Sequence, residues 1–288
     1  MRLRWISLGS ALLSAMGVLG LAVPAPSQGR SIQIKGSDTM VNLGQAWAEA
    51  FSQKHPDINI AVTGGGSGTG LTALISGTCD VAESSRAIEK KEVDMAKARG
   101  VIPVEHLVAM DGIVVVVHPR NPIKSLTMAQ LREIFLGVIT NWKAMGGANK
   151  PIVLLSREFN SGTHIFFKEH VLRRGHSKGP EEFTPGALLM PSSQAIAEEV
   201  AGNENAVGYY GMGYKSIRQK TLAVAKDAQS PAVEPTLPNI KSKAYPISRP
   251  LFLYTNGTPK GLLKEFIDFV FSPKGQEIVK KTDFVPIL

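Results

Sequence analysis

The chain has 288 residues, 43% hydrophobic and 19% charged, which is enough for one large or two medium domains with real cores and excludes both a disordered and a multi-spanning chain. Its net charge of +8 comes from scattered Lys and Arg without a basic run interleaved with aromatics, so small anions suit it and nucleic acid does not. Cys79 is the only cysteine, so no intrachain disulfide can form, and the residue reads as small and buried.

Residues 1–25 have the layout of a secretory leader. Arg2 and Arg4 form the charged start, Ile6 to Val23 the apolar stretch, and Val23, Pro24 and Ala25 the small-residue cleavage region. An uncleaved anchor is the competing reading, although the apolar stretch is short for a spanning helix. No cysteine lies near the cleavage region, so a lipid anchor is not expected. The mature chain is expected to be exported and soluble, and losing Arg2 and Arg4 leaves a charge of +6.

From residue 31 short apolar runs alternate with helical stretches, the pattern of an α/β fold. Ser31–Lys35 alternates as a strand, and Gly36-Ser37-Asp38-Thr39 leads into a helix with Leu43, Trp47, Ala50 and Phe51 on one face, stopping near His55 and Pro56. A strand over 58–62 meets Gly64-Gly65-Gly66-Ser67-Gly68-Thr69-Gly70, then a short helix to Ser76. Asp80–Ser84 reads as a strand ended by Ser85 and Arg86, and Ile88–Arg99 as a charged helix. Two apolar runs follow, Val101–Met110 and Gly112–His118, separated at Asp111; Ile113–Val117 has the continuous β-branched character of a strand buried on both faces. Pro119 and Pro122 mark a break. Thr127–Leu136 is a capped helix, Pro151–Leu155 a strand, and Arg157–Thr163 leads into a helix ending near Leu172. Ser192–Val200 is helical, Ala206–Tyr210 extended, 226–244 poor in pattern and Pro250–Tyr254 a strand. Helices over Leu262–Phe271 and Ser272–Lys281 close the chain.

Three strand-to-helix junctions share one character: Gly36–Thr39, Gly66–Gly70 and Arg157–Thr163 are each rich in Gly, Ser and Thr. In an open α/β sheet such loops gather beyond the carboxyl ends of the strands, where ligands bind. Free N–H groups at helix starts favour an anion there. A single hydroxyl at such a place is more often an N-cap, but three clusters with an arginine beside one of them point to an oxyanion pocket. Arg157, or Arg86, could add a planar charge-assisted contact, and either could instead be an ion-pair partner elsewhere. An ionised carboxylate in the pocket only accepts hydrogen bonds, so it would select protonated phosphate over sulfate. Asp38 and Asp111 are the candidates. Other chemistries fail. No Lys-Ser/Thr pair completes a Walker loop at 64–70, Thr69 stands where a nucleophile elbow around Ser67 needs Gly, and the six histidines lack zinc spacing except His164 and His170, which are six apart on a helix and so badly placed. Neither an enzyme, a cofactor nor a metal site is indicated.

Together, Gly36-Ser37-Asp38-Thr39, Gly66–Gly70, Ser85-Arg86, Arg157…Ser161-Gly162-Thr163 and the ending Phe271–Gln276…Phe284-Val285-Pro286 resemble the phosphate-binding protein of the bacterial ABC phosphate transporter, over about residues 31–288. The resemblance implies a type II two-lobed periplasmic binding protein with two hinge strands, lobe one holding 31–115 plus 252–288 and lobe two 116–251. It implies inorganic phosphate as ligand and an inner-membrane ABC permease as partner. Ser37, Asp38, Thr39 and Ser67 would contact phosphate from one lobe, and Arg157, Ser161, Gly162 and Thr163 from the other, and Ser85, Arg86 and Asp111 complete the expected phosphate-binding set. One position departs from the family: an aspartate that takes the phosphate proton in well-known members is replaced by Ser85, so either that role passes to Asp38 or Asp111 or the selectivity based on the proton is weakened. Another tetrahedral oxyanion, sulfate or molybdate, or a phosphate-sensing role is the alternative.

Overall fold

In the computed structural model, residues 31–288 are described, so the leader expected over residues 1–25 lies outside the described residues. The first half alternates β1 (Ser31–Gly36), α1 (Val41–Ser52), β2 (Asn59–Thr63), α2 (Ser67–Ile75), β3 (Val81–Ser84) and α3 (Lys90–Ala98). The strands lie parallel in the order β2-β1-β3. Ile32 and Ile34 of β1 point into the core while Ser31 is exposed, as period-two alternation requires. α1 buries Leu43, Trp47 and Phe51, spaced to fall on one helical face.

The second half runs β4 (Pro103–Val117), β5 (Ser125–Thr127), α4 (Met128–Phe135), β6 (Val153–Arg157), α5 (Gly162–Phe167), β7 (Leu188–Met190), α6 (Ser193–Gly202), β8 (Ala206–Gly211), β9 (Lys220–Ala225) and α7 (Leu237–Lys241). Then come β10 (Ser248–Asn256), α8 (Gly261–Phe271) and α9 (Pro273–Lys281). β8, β6 and β7 make a second parallel unit, whose core stacks Phe135, Phe167, Phe183 and Tyr209. The chain returns to the first unit at the end: α8 and α9 pack on α1, and the buried Trp47 indole donates to the Gly275 carbonyl at 2.9 Å.

Antiparallel β4 and β10 join the two units into a two-lobed α/β fold. β10 sits between β3 and β4. β4 is paired with β10 from Pro103 to Gly112, then with β8 and β9 from Ile113 to Val117. The sequence suggests two apolar runs interrupted at Asp111, but the structure has one 15-residue strand through it. The interruption is tolerated because the β-register sets Arg249 directly opposite Asp111. Strands β5, β7 and β9 have no counterpart among the elements expected from the sequence, and the five-residue α7 lies within the stretch 226–244 that is poor in pattern. The helix expected to reach Leu172 is α5 followed by a π-helical turn over Lys168–Leu172.

Candidate functional site

The carboxyl ends of β1, β2 and β6, with that of β3 beside them, meet between the lobes, which brings all three Gly/Ser/Thr junctions together. Ser37 and Thr39 follow β1 and are almost fully buried, with the Ser37 N–H donating to the Glu83 carbonyl at 2.8 Å. Ser67 begins α2 and is wholly buried. Its Oγ accepts from the Ser85 N–H at 3.0 Å and lies 3.3 Å from Ser85 Oγ. Ser161 is the N-cap of α5 and accepts from the His164 N–H, so its hydroxyl does serve the helix end. Gly162 and Thr163 open that helix, both buried.

The lobes are closed on each other. Thr39 Oγ1 and Thr163 Oγ1 are 2.9 Å apart, the Gly68 N–H donates to the Asn160 carbonyl at 3.0 Å, and the Asn160 amide donates to the Gly65 carbonyl at 2.8 Å. Glycine makes this approach possible. A Cβ at Gly162 would stand 2.3 Å from Ser67 Oγ and 2.7 Å from Ser85 Oγ, and one at Gly66, whose φ is 97°, would stand 2.7 Å from the Asn160 carbonyl oxygen. Gly162→Ala is therefore expected to prop the lobes apart and weaken ligand binding at least tenfold while the separate lobe cores survive. Small-angle scattering with and without ligand checks it, and a variant that closes like the wild type would refute it.

Arg157 ends β6 and is 1% exposed. Its Nη1 donates to Asp38 Oδ2 and to Ser193 Oγ, both at 3.0 Å, while the Met190 and Pro191 carbonyls hold Nε and Nη2. Asp38 Oδ2 also accepts from the Ser193 N–H at 2.7 Å, so this carboxylate bridges the lobes; its Oδ1 accepts no hydrogen bond from the described residues. Asp111, wholly buried in β4, uses both oxygens. Oδ1 accepts from the Met212 N–H at 3.0 Å and Oδ2 from Arg249 Nε at 2.9 Å. Burial holds the Asp111 carboxyl above the usual carboxylate range, and the guanidinium 2.8 Å away offsets only part of that rise.

Arg249 is the residue that sequence reasoning overlooks. It is completely buried at the start of β10, and besides Asp111 its Nη2 donates to Thr39 Oγ1 at 3.2 Å and Thr163 Oγ1 at 3.0 Å, and its Nη1 to the Ser85 carbonyl at 3.1 Å. It thus binds one hydroxyl from each lobe. The available signal was an arginine heading an apolar strand, a charge that a buried strand must neutralise. Arg86 is placed differently. Its guanidinium makes a two-pronged contact with Glu92, at 2.8 and 2.7 Å, beside the Gly68 backbone, and Glu92 is the capping-box residue of α3. The structure brings Ser37, Asp38, Thr39, Ser67, Ser85, Asp111, Arg157, Ser161, Gly162 and Thr163 around one junction, and turns the Arg86 charge toward α3.

Two α/β lobes that close donor-rich strand ends on each other have the architecture of a substrate-binding protein of the PBP kind. The PBP superfamily domain matches residues 22–274. The phosphate-binding protein PstS of Pseudomonas aeruginosa is 32% identical, covering 99% of this chain and 93% of that protein. PstS of Bacillus subtilis is 34% identical, covering 89% of this chain and 81% of its own length. The chain belongs to the PstS phosphate-binding protein family. Among solved structures, a Clostridium perfringens protein assigned as a phosphate ABC transporter substrate-binding protein, with bound phosphate, superposes with a TM-score of 0.80 at 35% identity and covers 90% of this chain and 100% of that one. An ABC-type phosphate transport receptor from Vibrio cholerae has a TM-score of 0.69 at 29% identity, covering 88% and 99%.

Proposed function

We propose that the chain binds inorganic phosphate between its lobes and delivers it to an inner-membrane ABC permease, as an exported periplasmic monomer without catalytic activity. The observation that carries this reading is the pairing of two buried arginines, Arg157 and Arg249, with hydroxyls drawn from both lobes. A tetrahedral anion stripped of water needs many short donors, and Ser37, Thr39, Ser67, Ser161, Thr163 and backbone N–H groups at the α2 start supply them without adding charge. Each arginine already has a carboxylate partner, so the cluster brings no net positive charge of its own. Such a site favours a ligand that carries a proton to offer. Asp38 Oδ1 is the free acceptor facing that task, whereas both Asp111 oxygens are engaged. Contacts from both lobes mean the ligand stabilises the closed form over the open one. The lobe limits we assign, 31–115 with 252–288 against 116–251, rest on the change of β4 pairing near Ile113. Among the described residues no helix is long and apolar enough to cross a membrane.

Calorimetric titration of phosphate, arsenate, sulfate and molybdate tests the reading, and tight sulfate binding without phosphate binding would overturn it. Arg157→Ala is expected to weaken phosphate at least tenfold, since a hydrogen bond to a charged group contributes about 1.5–3 kcal/mol. Arg173→Ala is the control, because Arg173 pairs with Glu182 and the Ser177 carbonyl on the surface. Asp38→Asn is expected to narrow the preference of phosphate over sulfate. An unchanged ratio would remove Asp38 from the proton-reading role.

A further inference from the structure

Lobe two carries a basic concavity, separate from the cleft. It has a volume of about 560 Å³ and is lined by Arg132, His170, Arg174, Lys226 and Lys243 over an apolar wall that includes Met128, Val171 and Pro246. No acidic residue lines it. Arg132 is held by Glu181 and the Leu172 carbonyl, and His170 Nε2 lies 2.7 Å from the Pro246 carbonyl oxygen. Arg174, Lys226 and Lys243, by contrast, have no carboxylate within ion-pair distance among the described residues. These three cations come from three separate places in the chain: after the π-helical turn, after β9 and after α7.

Gathering like charges around one hollow is unfavourable unless an anion is shared between them. The backbone adds an independent mark. Arg174 and Lys243 have φ of 52° and 60°, a left-handed conformation that glycine or asparagine would adopt more easily, yet both positions hold long cations directed to the same hollow. The volume lies within the range of small-molecule sites and exceeds what one orthophosphate fills. The cleft already described uses buried hydroxyls and paired arginines to hold a small, fully desolvated ion. This hollow uses unpaired, solvent-facing cations beside an apolar wall, which suits a larger anion with charge spread over several oxygens.

We propose that this hollow is a second anion site for a small molecule carrying two or more linked phosphoryl groups, a condensed phosphate or a nucleoside diphosphate. Arg174, Lys226 and Lys243 hold the phosphoryl oxygens, and an attached organic group rests on Met128, Val171 and Pro246. Full-length mature protein saturated with orthophosphate is titrated with pyrophosphate and, separately, with ADP. One equivalent of pyrophosphate is expected to bind, more weakly as salt rises. The double variant Lys226→Glu/Lys243→Glu should lose at least tenfold in that affinity while orthophosphate affinity stays unchanged. Arg174→Gly, which relieves the positive φ while deleting the charge, should bind pyrophosphate severalfold more weakly and melt no lower than the wild type. ADP bound more tightly than pyrophosphate assigns the apolar wall to an organic group, and equal affinities assign the site to the phosphoryl groups alone. Binding of neither at millimolar concentration, or binding that survives the charge reversal undiminished, overturns the proposal.

Discussion

Asp111→Asn is expected to lower folding stability by about 3–5 kcal/mol, because it leaves the Arg249 guanidinium charged and unpaired in a wholly buried place. Arg249→Met should cost a similar amount for the reverse reason. For a chain of this size such a loss lowers Tm by roughly 5–10 °C. The double variant Arg249→Met/Asp111→Leu separates structure from function. It removes both charges together, so much of the stability should return, as for other buried ion pairs replaced by packed apolar groups. Phosphate binding should not return, because Thr39 and Thr163 lose the guanidinium that orders them across the lobes. Thermal melts and phosphate titration on the four proteins give the result. A double variant that binds phosphate like the wild type would leave Arg249 as a structural ion pair only.

The parts of the site that could be read from the chain are those that carry their own local signature. Gly36–Thr39, Gly66–Gly70 and Arg157–Thr163 combine small residues with hydroxyls at strand-to-helix junctions, so both the type of loop and its place at the carboxyl ends of strands follow from nearest neighbours. Arg249 has no such signature. Its role arises from a strand register that pairs it with Asp111, far away in sequence, and register is set by the whole sheet. Arg86 shows the opposite limit. Its place beside the Gly66–Gly70 loop is real, but Glu92 captures the charge, and that choice is made by the start of α3 rather than by the junction. The helices and the long strands were legible because their apolar spacing repeats. β5, β7 and α7, with 3, 3 and 5 residues, are too short for any period to show.

Glu83 should make the protein less stable as pH rises from about 5 to about 8. Its carboxyl is completely buried beside α1, where Gly44 leaves just enough room: a Cβ there would stand 2.2 Å from Oε1. Neither carboxyl oxygen has a hydrogen-bond partner in the structure, and burial alone pushes its pKa up to about 8. The folded state therefore keeps the proton over a range where the unfolded chain, with an ordinary glutamate, has lost it. Folding is favoured by this group fully below the unfolded value. That advantage is lost progressively as pH climbs to the folded value, a total on the order of 5 kcal/mol. His164 works in the other direction, since burial lowers its pKa to about 4 and its protonation opposes folding only at acid pH. Comparing the wild type with Glu83→Met cancels His164 and every other shared group, so the difference in Tm across pH reports Glu83 itself. The variant should match or fall slightly below the wild type near pH 5 and exceed it clearly at pH 8. Because Glu83 lies in β3 directly beside Gly36 of β1, and its carbonyl holds the Ser37 N–H, ionising it presses on the backbone that presents Ser37 and Thr39. Phosphate affinity of the wild type should therefore fall more steeply above pH 8 than that of the variant, and parallel Tm and affinity profiles for the two proteins would show that Glu83 carries no buried proton.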